Sequence, residues 1–134
     1  MEQDEIDRLF SDISSKLREL SSSVRNNEVT LPEVTKTNIS DILSKNKVVV
    51  VDCWAPWCAP CHLYEPVFKR VATKYNGRAF FCRLNVDDNP ELADQFQIMN
   101  IPTTLIFVNS EIADIVVGMV EDEVLEEHLS RFLQ

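Results

Sequence analysis

The chain has 134 residues, of which 45% are hydrophobic, so it is long enough for one domain with its own core and too short for two ordinary domains. Its formal net charge of -9 argues against general binding to nucleic acid or to anionic membranes, because both carry charge of the same sign. The acidic start, Met1 to Asp7, is unlike a basic signal or transit peptide, and no apolar run approaches the roughly 18 residues of a spanning helix. We therefore expect a cytoplasmic protein whose partners are proteins or small molecules, with no nucleic acid and no membrane.

The first 25 residues or so predict an amphipathic helix. Apolar side chains recur at spacings of three and four, which places them on one helical face: Ile6, Leu9, Phe10, Ile13, Leu17, Leu20 and Val24. Such a helix either docks on the surface of its own domain or forms a seam for a partner or a second copy of the chain. Arg25 to Glu28 are typical of a linker. We expect residues 1–28 to form an amino-terminal helical extension and residues 29–134 to form the main domain.

From Leu31 onward, the hydrophobic pattern alternates between strand and helix. A short extended segment is expected around Pro32 to Lys36, followed by a short helix that begins after the capping candidates Thr37 and Asn38. Val48 to Cys53 is apolar apart from Asp52, as expected of a central strand that is buried on both faces.

A longer helix is predicted from about Ala59 to Tyr75. Its apolar face is expected to carry Leu63, Val67, Val71 and Tyr75. Pro66 lies inside this helix and lacks the amide that would bond to the preceding turn, so a kink is expected there. Ala79 to Val86 then predicts a second strand.

The remaining elements are a short helix, a hairpin and a terminal helix. Asp88 to Pro90 opens the short helix, and Thr103 to Val108 and Glu111 to Val117 predict two strands joined across Asn109 and Ser110. The acidic run from Glu121 to Glu123 suits the first turn of the last helix. The order of elements predicts an α/β fold, with a central mixed sheet flanked by helices on both faces.

The pair Cys58 and Cys61 falls where the first predicted strand feeds the long helix. A helix amino terminus presents unpaired amides and a partial positive charge, which favour a thiolate over a thiol. Cys61, three residues further on, lies about one turn away and is close enough to form a disulfide with Cys58. This geometry predicts disulfide exchange, in which Cys58 attacks a substrate disulfide and Cys61 resolves the mixed disulfide.

Asp52 is the candidate acid–base group for that exchange. Cys61 is expected to lie deeper than Cys58, so a nearby group has to take its proton. A carboxylate buried among valines has a raised pKa, which suits Asp52 to exchange protons near neutral pH, directly or through water.

The motifs around these residues resemble those of the thioredoxin family. The resemblance runs from about Val34 to the carboxyl terminus and rests on several separated motifs: Val51-Asp52, Trp54-Ala55, Trp57-Cys58, Pro60-Cys61, Pro66, Leu84-Asn85-Val86-Asp87, Asn89-Pro90, Ile101-Pro102-Thr103 and Val117-Gly118. Their joint agreement is far more specific than a lone C-x-x-C motif. The resemblance implies a thioredoxin fold and reduction of protein disulfides.

The same resemblance implies a substrate site. It implies a cis Ile101–Pro102 bond that faces the dithiol, with Ile101 backbone groups pairing with an extended substrate segment. A shallow apolar groove would be lined by Trp57, Pro102, Val117, Gly118 and Met119. Re-reduction by a flavin-dependent thioredoxin reductase is also implied, so that no cofactor need bind to this chain.

Several positions depart from the family pattern. Ala59 stands where a glycine is usual, which could shift the redox poise, and His62 stands where a lysine is frequent. Arg83 occupies the place of a lysine near the buried acid. Cys53 and Cys82 fall on strand positions and are read as small core residues, with a regulatory thiol as the alternative.

Other functions stay open at this stage. A structural zinc half-site is disfavoured because zinc needs four ligands and the chain has no second C-x-x-C or paired histidines, and we expect no metal. The same chemistry run in reverse would give a disulfide oxidase or isomerase. A third alternative is a non-catalytic interaction module that recruits a partner through the amino-terminal helix.

Overall fold

The computed structural model describes residues 31–133, so the predicted amino-terminal helix lies outside the described residues. This part of the chain contains four helices and four strands. They are α1 (Ile39–Lys45), β1 (Val48–Trp54), α2 (Ala59–Lys74), β2 (Phe80–Asn85), α3 (Pro90–Gln95), β3 (Thr103–Val108), β4 (Glu111–Val117) and α4 (Asp122–Ser130). None of the helices within residues 31–133 is both long and apolar enough to cross a membrane.

The four strands form one mixed sheet in the order β2-β1-β3-β4. β1 runs parallel to β2 and antiparallel to β3, and β3 pairs with β4 as an antiparallel hairpin. The continuous valine run of β1 occupies the centre of the sheet and is buried throughout, which confirms the predicted central strand. The predicted extended segment before α1 contributes an isolated bridge between Glu33 and Arg83, at the β2 edge.

Side chains of β1 alternate between two core clusters, one on each face of the sheet. Val49 and Val51 pack with Ile39 of α1 and Leu92 of α3. Val48 and Val50 pack against α2 and α4. Because successive side chains point to opposite faces, Asp52 belongs to the face that α2 covers. The predicted sheet with helices on both faces is therefore confirmed.

Two local details differ from the sequence prediction. Leu63 is 65% exposed, so its assignment to the buried face of α2 was wrong. Tyr64 takes the buried position instead, and its hydroxyl shares a hydrogen bond of 2.8 Å with the Thr104 hydroxyl on β3. The Asn38 side chain makes no bond to the amides of α1; its Oδ1 accepts from the Thr35 amide, and its Nδ2 donates to the Glu33 carbonyl.

Candidate functional site

The first turn of α2 carries the two cysteines, directly beyond the carboxyl end of β1. Cys58 is the N-cap residue, with an extended backbone, and it is joined to Cys61 by a disulfide whose Cα atoms are 5.3 Å apart. The Cys61 amide points at the Cys58 sulfur, with a nitrogen–sulfur distance of 3.2 Å. An N–H group aimed at this sulfur stabilises a negative charge on it, as expected at a helix amino terminus.

The two sulfurs differ in their access to solvent. Cys58 is 4% exposed and Cys61 is fully buried, which agrees with the predicted order of depth. The loop before them is held by its own backbone, because the Cys58 amide donates to the Ala55 carbonyl at 3.1 Å. His62 Nε2 lies 2.7 Å from the Pro56 carbonyl oxygen, so this imidazole is bonded to the loop.

The segment before β3 faces the disulfide. The Ile101–Pro102 peptide bond is cis, and the Ile101 carbonyl oxygen lies 3.8 Å from Cys58 Sγ. The Pro102 carbonyl accepts a hydrogen bond of 2.8 Å from the Gly118 amide, just beyond β4. The structure therefore brings Ile101 beside Cys58, and it joins Gly118 to the neighbouring Pro102.

The other predicted groove residues are exposed at this end of the sheet. Trp57 is 70% exposed, Val117 is 59% exposed and Met119 is 51% exposed. Met99, which sequence reasoning did not single out, is 88% exposed and lies two residues before Ile101. Its position next to the Ile101–Pro102 motif was the signal in the sequence that could have placed Met99 near the site.

Asp87 is a second residue whose role sequence reasoning missed. Its Oδ2 accepts a hydrogen bond of 2.8 Å from Trp57 Nε1. Asp87 follows the end of β2, which runs parallel to β1, so the loops after both strands meet at one edge of the sheet. That topology was the signal that could have paired Asp87 with the cysteine loop.

Asp52 is fully buried and lies opposite Arg83 in the register of β1 and β2. Its Oδ2 accepts a hydrogen bond of 3.2 Å from Arg83 Nε. Burial raises the pKa of Asp52 to about 6, and the neighbouring Arg83 charge opposes this rise. A carboxyl group with this pKa changes its protonation state close to neutral pH, as the sequence predicted.

Arg83 makes further contacts that link Asp52 to the surface. Its guanidinium carbon lies 4.1 Å from the centre of the Trp54 ring, and Nη1 is 3.7 Å from Glu65 Oε1. Sequence reasoning did not single out Glu65. The signal was its position four residues after Cys61 on α2, which places both residues on the same side of the helix.

The remaining cysteines, Cys53 and Cys82, are fully buried and unpaired in the described part of the chain. Both belong to the core cluster on the face that α1 and α3 cover, away from Asp52. Burial raises the pKa of both thiols far above the ordinary value. Within residues 31–133, no group of three or more His, Cys, Asp or Glu side chains is placed to hold a metal ion.

Comparison with known proteins agrees with this geometry. The family model named Thioredoxin matches residues 30–131. A thioredoxin of Synechocystis sp. is 38% identical over 103 residues, which cover 76% of this chain and 96% of that protein. The M-type chloroplastic thioredoxin of Brassica napus is 39% identical over 93 residues, covering 69% of this chain but 52% of the relative, about half of its length.

Two solved structures share the fold. Thioredoxin of Plasmodium falciparum superposes with a TM-score of 0.71 at 26% sequence identity, covering 76% of this chain and 99% of that one. A mutant thioredoxin of Halobacterium salinarum also has a TM-score of 0.71, at 29% identity, with 79% of this chain and 96% of that one covered.

Proposed function

The chain belongs to the thioredoxin family and is a thiol–disulfide oxidoreductase that reduces protein disulfides, and we propose that Cys58 attacks the substrate, Cys61 resolves the intermediate and Asp52 manages the proton. The observation that carries this proposal is the Cys61 amide aimed at Cys58 Sγ at 3.2 Å, on the more exposed of the two cysteines. It gives Cys58 an electrostatic reason to be the thiolate.

In the first step, the Cys58 thiolate of the reduced protein attacks one sulfur of a substrate disulfide. A bond forms between Cys58 and that sulfur, the substrate's sulfur–sulfur bond breaks, and the second substrate sulfur leaves as a thiolate that water protonates. The positive end of α2 stabilises the attacking charge beforehand, because Cys58 is the N-cap residue.

In the second step, Cys61 gives its proton to the Asp52 carboxylate, directly or through water, and attacks Cys58 Sγ. The Cys58–Cys61 disulfide forms, and the substrate sulfur leaves as a thiolate. The 5.3 Å separation of the two Cα atoms fits a disulfide within one helical turn, so this step needs no change of fold. A pKa of about 6 leaves Asp52 ionised at neutral pH, where it can accept the proton.

We place the substrate segment in the shallow groove beside Cys58. The lining residues are Trp57, Ile101, Pro102, Val117, Gly118 and Met119. Support for this placement comes from the 3.8 Å distance between Cys58 Sγ and the Ile101 carbonyl, and from the exposure of Trp57 and Met119. Exposed apolar side chains around a buried reactive group favour a protein segment as substrate.

The proposal also covers the electron donor, the cellular compartment and the amino-terminal extension. A thioredoxin reductase would return the oxidised protein to the dithiol state, and no cofactor would bind to this chain. The reaction would take place in the cytoplasm. Residues 1–28 would form a separate helical extension that supports self-association, and residues 29–134 would form the catalytic domain. Analytical ultracentrifugation of the full chain and of a chain that starts at residue 29 would test the extension.

The direction of the reaction is tested by the reduction potential of the Cys58–Cys61 pair. The protein is equilibrated with defined dithiothreitol or glutathione buffers, and the fraction of reduced protein is measured. We expect a potential more reducing than the glutathione pool. A clearly more oxidising value would instead indicate that the protein donates or shuffles disulfides.

The roles of the two cysteines are tested by single replacements. Cys58→Ser should abolish disulfide reduction, because the attacking group is lost. Cys61→Ser should accumulate mixed disulfides with substrate proteins, which are visible on non-reducing gels. Full activity of either variant would contradict the assignment.

A further inference from the structure

Arg83 and Asp52 form only half of the contact that their side chains allow. An arginine commonly binds a carboxylate through two parallel hydrogen bonds, and Arg70 does so with Asp122, where Nε and Nη2 each donate at 2.8 Å. Arg83 instead gives Asp52 the single Nε bond of 3.2 Å. The two atoms that the second bond would join, Asp52 Oδ1 and Arg83 Nη2, are buried and have no partner within residues 31–133.

Two contacts hold the guanidinium in this position. Its Cζ lies over the Trp54 ring, 4.1 Å from the ring centre, a cation–π contact that limits how far the group can move. Its Nη1 lies 3.7 Å from Glu65 Oε1, whereas its Nε donates to Asp52. Glu65 therefore competes with Asp52 for the same cation.

We propose that Glu65 is a positioning residue for the disulfide exchange: by drawing Arg83 towards α2, it keeps the Arg83–Asp52 contact incomplete and so leaves the Asp52 carboxylate able to accept a proton. The inference rests on the proposed role of Asp52 in the exchange reaction. Asp122, which has the complete arginine contact, has its pKa lowered by those hydrogen bonds. A similarly clamped Asp52 would be a weaker base.

Several other charged or titratable groups surround Asp52. Those that face Asp52 or the Arg83 guanidinium are Arg83 on β2, Glu65 and Tyr64 on α2, and Glu33 before α1. The thiols of Cys53 and Cys82 point to the opposite face of the sheet. Arg83 lowers the pKa of Asp52, whereas Glu65 and Glu33 raise it. Among the carboxylates of residues 31–133, only Asp52 and Glu65 form ion pairs with the Arg83 side chain.

Glu65 is itself partly accessible, which makes it a workable target. Its side chain is 31% exposed, and its Oε1 also lies 3.4 Å from Lys69 Nζ at the surface. Glu65→Gln keeps the size of the side chain and removes the charge, so the fold should persist. Glu126→Gln is the matched control, because it removes one carboxylate that pairs with Lys74 of α2 and does not contact Arg83.

The test is a titration of the Asp52 carboxyl carbon by ¹³C NMR in the oxidised full chain, for the wild type and both variants. In Glu65→Gln, Arg83 is free to complete its contact with Asp52, so we expect the midpoint of Asp52 to fall by at least about 0.5 pH unit. In Glu126→Gln the midpoint should stay where it is in the wild type. An unchanged midpoint in Glu65→Gln, or an equal fall in both variants, would overturn the proposal.

A kinetic measurement then connects the contact to the reaction. The rate of protein-disulfide reduction should fall on the acidic side as Asp52 becomes protonated, and in Glu65→Gln this acidic limb should move to lower pH by the same interval as the NMR midpoint. A limb that stays in place while the midpoint moves would also overturn the proposal. The NMR titration needs no turnover, so a wild type without reductase activity would count against the proposed function separately.

Discussion

The indole nitrogen of Trp57 donates a hydrogen bond of 2.8 Å to Asp87 Oδ2, and this bond fixes the orientation of an exposed ring beside the dithiol. Trp57 belongs to the loop after β1, and Asp87 to the turn after β2. The turn is itself ordered, because Asn85 Oδ1 accepts bonds from the amides of Asp87 and Asp88. The orientation of the ring therefore depends on a neighbouring strand.

Replacement of Asp87 by alanine should weaken binding of protein substrates. Without its acceptor, the Trp57 ring loses one fixed orientation, and part of the groove must be ordered when substrate binds. We expect kcat/KM for a protein disulfide to fall about fivefold, mainly through KM, because loss of one hydrogen bond at the surface costs on the order of 1 kcal/mol.

A small aromatic disulfide is the control substrate for this variant, since it reaches Cys58 without filling the groove. Its rate should be nearly unchanged. An equal loss for the small and the protein disulfide would point to damage at the dithiol itself.

Asp52→Asn should change how stability depends on pH. The folded-state pKa of Asp52 is raised from 3.8 to about 6, so the folded protein holds this proton more tightly than the unfolded chain. The resulting stabilisation is fully present below pH 4 and is lost as the pH rises through 6. From pH 3.5 to pH 7.5, the wild type should therefore lose about 3 kcal/mol relative to the asparagine variant.

Urea unfolding of both proteins at several pH values measures this difference. The comparison isolates Asp52, because the other carboxylates are common to both proteins. Parallel stability curves across this pH range would contradict the raised pKa.

The buried bond between Tyr64 and Thr104 predicts a non-additive pair of mutations. The two hydroxyls are 2.8 Å apart and connect α2 to β3. Tyr64→Phe leaves the Thr104 hydroxyl buried without this partner and should lower the free energy of unfolding by about 1–3 kcal/mol. The double variant with Thr104→Val removes both groups and should be less destabilised than the sum of the single variants.

Urea denaturation of the wild type, the two single variants and the double variant gives the four free energies of unfolding of a double-mutant cycle. Simple additivity of the two losses would show that the hydroxyls do not interact.

Thiol labelling should separate the two kinds of cysteine. In the oxidised native protein, Cys53 and Cys82 are buried and their pKa values are raised, so iodoacetamide at pH 8 should label neither. In denaturant without reductant, both should react while the Cys58–Cys61 disulfide stays intact. Mass spectrometry counts the labels, and rapid labelling of Cys53 or Cys82 in the native state would support the regulatory alternative.

The sequence predicted the main elements because their signals are local. The valine run predicted the central strand β1, and two apolar segments joined across Asn109 and Ser110 predicted the hairpin of β3 and β4. Cys58 was placed correctly at the start of α2. Leu63 was misplaced because helical spacing cannot tell an apolar face that meets the sheet from a single apolar residue that meets solvent.

The parts of the site that sequence reasoning missed depend on contacts between elements. Asp52 was expected to be buried, and Arg83 was noted near it, but the pull of Glu65 on Arg83 depends on how α2 lies across β1 and β2. The bond between Trp57 and Asp87 likewise joins residues 30 positions apart. Such distances follow from packing and are not encoded in any short motif.

The depth of the disulfide has a kinetic consequence. Cys58 is 4% exposed and Cys61 is fully buried, so both the protein that supplies electrons and the protein that receives them must approach through Cys58. The electron donor and the disulfide substrate therefore compete for the same site at Cys58. They must bind one after the other, so no ternary complex forms. Steady-state rates measured while the concentrations of both partners are varied should give parallel lines in double-reciprocal plots, as in a substituted-enzyme mechanism. An excess of either partner should inhibit the reaction of the other.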